Sequence, residues 1–447
     1  MIKTATFLLL LIGGSLRAST TIAIVHFSDY HSHALPFYVE GGERGGLARA
    51  IGFLERAKRR GALVFNGGDM MNRGAPAWSD RYRCAEWPWF NGIVDAMAFG
   101  NHDADYGKDD WNRCRSAVAY PILSANTTGF ERYRVFVRHG IRIGVFAIAG
   151  SDFPKLVTNA QFAYSDPIAS ARDVVDTLRN REHADAVVMI GHEHAQDDYK
   201  LASAVPGIDV ILGTHTHLKR ELTRIPGTQT WFISPYQYLA YVSEVELTFQ
   251  KHKLASVRGR LVPIDASVKP DAKIAGRVGA MQRDLERDPV YRDLFVPIAR
   301  LRRPMELDSV ARFTLEAMRD AAHADAALST TSSFRQPLPS GTIDLETLRA
   351  ALPYDNEIVV GQMRGDKLQA LLERANTADP ASDARAFAIA PPQIDDARTY
   401  TVAVTDYMSG VSAAYRDLFE GVKWTSSGAR VRSEVRKRLA AQWPSAP

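Results

Sequence analysis

The 447-residue sequence predicts an α/β protein in two parts. Three observations carry that expectation. From residue 20 to about 263, short apolar runs alternate with amphipathic stretches of helical period, the pattern of strands joined by helices in a largely parallel sheet. Five of those runs stop at Gly followed by Asp, Asn or His, or directly at Asp and His. The strand and helix pattern then restarts near Leu307, after a polar stretch broken by Pro270, Pro289 and Pro297, which predicts a second, smaller α/β domain.

The elements follow in order. Lys3, the apolar core Phe7 to Ile12 and the small-residue segment Gly13 to Ala18 read as a secretory signal cleaved near Ala18. The apolar run is too short for the roughly 20 residues that span a bilayer, so the expectation is an exported protein, periplasmic or extracellular, without stable membrane insertion. Thr21 to Phe27 is a strand that stops at Asp29 and His31. Gly46 to Arg60 is a helix with Leu47, Ile51 and Leu54 on one face. Ala62 to Phe65 is a strand that stops at Gly67-Gly68-Asp69, and Asp95 to Phe99 one that stops at Gly100-Asn101-His102-Asp103. Trp87-Pro88-Trp89-Phe90 reads as packing. Ile141 to Ala149 is a strongly apolar strand, and Ile168 to Asn180 is a helix with Ala171, Val174, Val175 and Leu178 inward. Ala186 to Ile190 stops at Gly191-His192, and Val210 to Leu212 at Gly213-Thr214-His215-Thr216-His217. Tyr241 to Phe249 and Lys253 to Val262 form a late hairpin. A linker with a helix over Ala275 to Arg287 leads to helices at Ser309 to Ala322, Leu345 to Leu352 and Lys367 to Asn376, and a strand at Tyr400 to Thr405. The expected division is 1–18 signal, 19–263 first domain, 264–299 helical linker and 300–447 second domain.

Composition narrows the function. The chain is 46% apolar and 24% charged with a net charge of +4. It has no long Lys/Arg run, which argues against nucleic acid or an anionic membrane as partner. Its two cysteines, Cys84 and Cys114, flank the Gly100 to Asp103 loop, and in an exported chain they read as one disulfide.

The strand ends carry the chemistry. In open α/β sheets, ligands gather at the carboxyl ends of the strands. Asp29 and His31, two apart on an extended segment, point the same way, and His215 and His217 repeat that spacing. Two glycines before Asp69 allow a sharp turn, its two oxygens allow one carboxylate to bridge two ions, and Asn101 offers a neutral oxygen. The set is mixed N and O. It suits Zn, Mn or Fe without choosing among them, and it fits a two-metal hydrolase site. His194 stands two residues beyond His192 and competes with it; His192 is preferred because it directly follows the strand-end glycine. His26, His33, His139, His183, His252 and His323 read as surface or satisfied core.

Asp29-Tyr30-His31, Gly68-Asp69, Gly100-Asn101-His102-Asp103, Gly191-His192 and Gly213-Thr214-His215-Thr216-His217 together resemble the five motifs of the calcineurin-like metallophosphoesterases. The longer run Gly100-Asn101-His102-Asp103-Ala104-Asp105-Tyr106-Gly107 resembles their 5′-nucleotidase branch. The resemblance implies a sandwich of sheets flanked by helices, with two divalent metal ions as cofactors. One ion would be held by Asp29, His31, Asp69 and His217, the other by Asp69, Asn101, His192 and His215, with Asp69 bridging. It also implies a catalytic pair of His102 and Asp105, Asp105 being preferred to Asp103, and in-line attack of metal-bound water on phosphorus.

The second part resembles the family's C-terminal domain. Thr330-Thr331-Ser332-Ser333-Phe334-Arg335 is similar to an Asn-Gly-Gly-Gly-Ile-Arg loop of which only the Arg is kept. Leu352-Pro353-Tyr354-Asp355-Asn356 is similar to a Pro-Phe-x-Asn segment, and Thr405-Asp406-Tyr407-Met408 to the start of a second stacking segment whose Gly-Gly-Asp-Gly-Tyr is degenerate here. The implied substrate contacts are Arg335, Tyr354, Asn356 and Tyr407. The expected partner is a small phosphate ester, a nucleotide first. Alternatives are a 2′,3′-cyclic nucleotide phosphodiesterase, a sugar-nucleotide pyrophosphatase, a non-nucleotide phosphatase, or a catalytically silent secreted binding protein.

Overall fold

The structure is a computed structural model that describes residues 19–74, 76–378, 382 and 384–445. The expected signal segment, 1–18, lies outside the described residues. The first domain holds two six-stranded sheets. One runs Lys253–Pro263, Tyr241–Gln250, Thr20–Phe27, Leu63–Asn66, Ala96–Ala98, Ile122–Leu123, parallel from Thr20–Phe27 onward and antiparallel at the hairpin edge. The other runs Lys219–Arg224, Trp231–Pro235, Val210–Gly213, Ala186–His192, Ile141–Ala149, Tyr133–Arg138, with four parallel strands between two antiparallel edges.

Side-chain alternation explains why the sheets stack. In Thr20–Phe27, Ile22 and Ile24 join Leu63, Phe65, Val145, Val188 and Leu212 in a core between the sheets. Val25 and Phe27 face the opposite way, onto Leu47, Ile51 and Leu54 of the helix Leu47–Arg59. Phe146 and Ile148 pack outward onto Val174, Leu178 and Leu201. Both sheets are therefore buried on both faces, which is why their strands read as near-continuous apolar runs.

The helix Ala272–Arg287 is capped by Asp271, whose Oδ1 accepts from the Ile274 amide at 2.8 Å. It buries Ile274, Val278 and Leu285 in the first domain's outer core. The expected helix Ile168 to Asn180 is an α-helix only over Pro167–Asp176, and Thr177–Arg181 continues as a π turn. A hairpin of Pro36–Val39 with Gly42–Gly45 and the strands Lys219–Arg224 and Trp231–Pro235 were not anticipated. Lys219–Arg224 is an edge strand with a polar, half-solvated sequence, so it carries no apolar run to read.

The second domain is built on a mixed five-stranded sheet, in the order Ala386–Ile389, Ala326–Thr330, Thr399–Thr405, Glu357–Arg364, Thr425–Arg430. Leu315 and Met318 of the helix Leu307–Ala321 cover one face, and Leu368 and Leu371 of Gly365–Thr377 the other. Cys84 and Cys114 are joined, with Cα atoms 5.7 Å apart. The Trp87–Phe90 turn is packing, with Trp87 and Phe90 fully buried.

Candidate metal centre and substrate cavity

All five strand ends converge. Asp29, His31, Asp69, His215 and His217 adopt positive φ of 47–61°, a region non-glycine residues rarely enter and one whose cost is of order 1 kcal/mol or more each. Strain repeated at five clustered strand-end residues marks a built site. Gly100 has a separate reason: a Cβ there would run into the amide and carboxylate of Asp69. Only glycine lets the Asn101 loop approach Asp69 so closely.

The ligand atoms of Asp29, His31 and His217 lie within 4.8 Å of one another, as do those of Asp69, His192 and His215. Asp69 Oδ2 stands 3.7 Å from His31 Nε2 and 3.3 Å from His192 Nε2, so this carboxylate lies between the two groups. Asp29 Oδ1 is 3.5 Å from His217 Nε2. His192 Nδ1 faces the Gly67 carbonyl at 2.6 Å, so Nδ1 donates and Nε2 is turned to Asn101 Oδ1 at 3.2 Å and Asp69 Oδ2. Three acceptor atoms in mutual contact require a cation at their centre, a proton or a metal ion. With imidazole nitrogens and hard oxygens as the only donors, the set fits two divalent ions.

Electrostatics follow from burial. It lowers His31 and His217 well below the usual histidine range, leaving neutral imidazoles of the kind that ligate metals. Burial raises Asp29 to about 7. Asp69 is equally buried, yet the neighbouring His192 and His102 outweigh that and hold it below the usual carboxylate range.

His102 stands beside the cluster rather than in it. Its Nδ1 is 2.7 Å from Asp105 Oδ2, and its amide donates to Asp69 Oδ1 at 2.8 Å. Burial pulls its pKa down, but the carboxylates of Asp105 and Asp69 prevail and raise it to about 10. Asp103 is not its partner. It accepts from the Met70 amide at 2.8 Å and from the Gly100 amide at 2.8 Å, stapling the two loops together. His194 is turned to Asp152 Oδ2 at 3.2 Å, away from the role it could have contested with His192. His26 is fully buried, but neither ring nitrogen has a hydrogen-bond partner among the described residues, so it is not the satisfied core histidine expected. His33 is half-buried, holds the His31 carbonyl through Nδ1 at 3.0 Å and stacks on Tyr238, ring centres 3.5 Å apart.

The second domain closes over this cluster. Tyr38 donates to Glu306 Oε1 at 2.6 Å, and Gln237 Nε2 donates to the Arg335 carbonyl at 2.6 Å, across the domains. The Arg335 guanidinium lies against His217, with Nη1 3.3 Å from Nε2, and its Nη2 donates to the Tyr354 hydroxyl at 2.9 Å. Tyr354, Asn356 and Tyr407 line the same cavity of about 460 Å³ as Asp69, Asn101 and His102. Sequence reading missed Asp152, which also lines this cavity. The signal was present: Asp152 follows the strong apolar strand Ile141–Ala149 by three residues, after a glycine.

Residues 22–219 match the family model for calcineurin-like phosphoesterase, and residues 297–390 that for the 5′-nucleotidase C-terminal domain. Its first part thus resembles the calcineurin-like phosphoesterases and its second the 5′-nucleotidase C-terminal domain. Like the proteins it resembles, it is a metal-dependent hydrolase of phosphate esters. It is 25% identical over 438 residues to protein UshA of Yersinia enterocolitica, covering 82% of this chain and 78% of that one. It is 26% identical over 472 residues to a 5′-nucleotidase of Vibrio cholerae, covering 88% and 83%. Its fold is that of the 5′-nucleotidase precursor from Thermus thermophilus, with a TM-score of 0.73 at 20% identity over 94% of this chain and 96% of that one. No helix among the described residues is long and apolar enough to cross a membrane.

Proposed function

We propose that this phosphoesterase is an exported, dinuclear 5′-nucleotidase-like enzyme that releases phosphate from nucleotides. The observation that carries the reading is the single cavity in which Arg335 and Tyr354 of the second domain meet the Asp69 cluster and His102 of the first. Asp29, His31, Asp69 and His217 would hold one ion, and Asp69, Asn101, His192 and His215 the other. Bound there, two divalent ions supply Lewis-acid neutralisation of the phosphoryl oxygens and activation of water.

The chain's own groups do the rest. Arg335 offers a planar fork whose bidentate geometry suits a phosphate. Asp105 holds His102 Nδ1, which fixes the ring and leaves Nε2 for the substrate. His102 Nε2 donates its proton to the departing ester oxygen as the phosphorus–oxygen bond breaks. Tyr354 and Tyr407 supply aromatic surface for a base, at about 1–3 kcal/mol per stacked base, and Asn356 supplies a polar contact beside them.

One observation supports a second reading, a related phosphoesterase acting on a cyclic nucleotide or a sugar nucleotide. Thr331, Ser332 and Ser333 place side chains into the cavity where a glycine loop would leave room. A panel of 5′-AMP, 2′,3′-cyclic AMP, UDP-glucose and 4-nitrophenyl phosphate, with metal analysis of the same sample, separates them. Highest kcat/KM on 5′-AMP supports the nucleotidase; preference for a diester or pyrophosphate replaces it with the second reading.

A further inference from the structure

Outside the two metal groups, a third set of ligating atoms converges in the cavity wall. Asp152, His194 and His215 place one atom each within 4.8 Å of one another. Asp152 Oδ2 alone receives both rings: His194 Nε2 at 3.2 Å and His215 Nε2 at 3.4 Å. His215 thus turns its Nε2 outward, and Nδ1 is the nitrogen left for Asp69 and His192. An imidazole that gives one nitrogen to a metal ordinarily gives its other N–H to a carboxylate or carbonyl. That contact fixes the tautomer and ring orientation and makes the ligating nitrogen more basic.

The backbone around Asp152 is built for this contact. Gly150 donates its amide to the His192 carbonyl at 2.9 Å, tying the end of Ile141–Ala149 to the end of Ala186–His192. A Cβ on Gly150 would stand 2.6 Å from Asp152 Oδ1 and 3.2 Å from Glu193 Cβ, so the glycine makes room for the carboxylate. The Asp152 carbonyl accepts from Lys155 at 2.8 Å and Leu156 at 3.1 Å, which fixes the loop from the other side. Burial works against a charged Asp152, but the hydrogen bonds from His194 and His215 outweigh it and keep the carboxyl below its usual range. The ring of His194 lies edge-on to that of His215, centres 4.8 Å apart, and braces the arrangement.

We infer that Asp152, braced by His194, is a positioning residue that holds the outer nitrogen of His215 so that the inner nitrogen is presented to the second metal ion. The inference rests on the two-ion reading above. It predicts a defect confined to one of two ions, which a general loss of structure would not give.

The test uses the full protein and its Asp152→Asn, Asp152→Glu and His194→Gln variants, stripped of metal and titrated with Mn²⁺ by equilibrium dialysis and elemental analysis. Absorption of the Co²⁺ forms reports ligand geometry in parallel. The wild type should bind two ions. Asp152→Asn should keep the first and weaken the second by about 10–100-fold, with an altered Co²⁺ spectrum and an unchanged melting temperature without metal. Asp152→Glu should recover most of the second site, and His194→Gln should weaken the same site by less. Wild-type affinity for both ions in Asp152→Asn would overturn the inference. So would equal loss of both ions, or a third ion in the wild type that Asp152→Asn removes, since the trio would then be a metal site itself. A wild type that binds fewer than two ions brings down the two-ion reading first and this inference with it.

Discussion

Replacing His102 with Ala separates proton donation from metal binding. The ring is held through Nδ1 by Asp105 at 2.7 Å and lies edge-on to His31, ring centres 5.2 Å apart. It lines the same cavity as Asp69 and Arg335 yet lies outside both ligand groups. Loss of a general acid typically costs 10²–10⁴-fold in rate, or about 2.7–5.4 kcal/mol at 1.36 kcal/mol per decade. The full penalty should appear in kcat for 5′-AMP, whose leaving alkoxide needs a proton. A 4-nitrophenolate leaves without one, so its penalty should fall below the ~10² edge of that range. Asp105→Asn should cost less than His102→Ala, because Asp105 acts only through the ring. The double variant should be no worse than His102→Ala alone, since the two residues act as one unit. Steady-state kinetics on both substrates at saturating metal, with metal content measured beside them, decide the matter. Equal losses on the two substrates would refute proton donation, and loss of bound metal would make His102 a ligand.

Three further outcomes are expected. Thiol titration of the unfolded, unreduced protein should find no free thiol; with the cysteines 30 residues apart, replacing both with Ser should cost about 3.6 kcal/mol in the chain-entropy account, read as a lower denaturation midpoint. Burial raises Glu86 from 4.5 to about 7, so its ionisation opposes folding, and that stability is lost as pH rises from about 4.5 to about 7. Glu86→Gln should therefore gain roughly 3 kcal/mol over the wild type at pH 8 and little at pH 4; a gain that does not change with pH would contradict this. Tyr354→Ala and Tyr407→Ala should each raise KM for a nucleotide by about 1–3 kcal/mol in binding and leave 4-nitrophenyl phosphate nearly unchanged. Equal factors on both substrates would assign the two rings to packing. Tyr354→Phe keeps the ring but removes the hydroxyl that accepts from Arg335, so any excess of Ala over Phe measures the ring alone.

The sequence was most informative where one physical rule repeats. A buried parallel strand must be apolar, and its carboxyl end must turn; where that turn carries Asp, Asn or His after glycine, fold and site are written in the same residues. That is why Asp29, Asp69, Asn101, His192, His215 and His217 could be placed together before any coordinate. Asp152 obeys the same rule but belongs to no familiar motif, so the strand Ile141–Ala149 was recognised while its end was passed over. The preference for His192 over His194 came from its place directly after the strand-end glycine, and that for Asp105 over Asp103 from the family resemblance. The directions of the side chains agree with both. Lys219–Arg224 was invisible because an edge strand gains its partners from the ladder and needs no apolar face. Tyr354 read as aromatic surface, and its hydroxyl contact with Arg335 depends on the docking of two domains, which no local pattern encodes.

Asp69 carries the central claim, because one carboxylate lies within 3.7 Å of a histidine of each metal group. The decisive measurement is metal content and phosphate release from 5′-AMP, taken together on the wild type and Asp69→Asn. The wild type should hold two divalent ions, lose activity on chelation and regain it when metal is restored. Asp69→Asn should bind less metal and show no turnover. Full activity with normal metal content in Asp69→Asn would contradict a dinuclear site built around this residue.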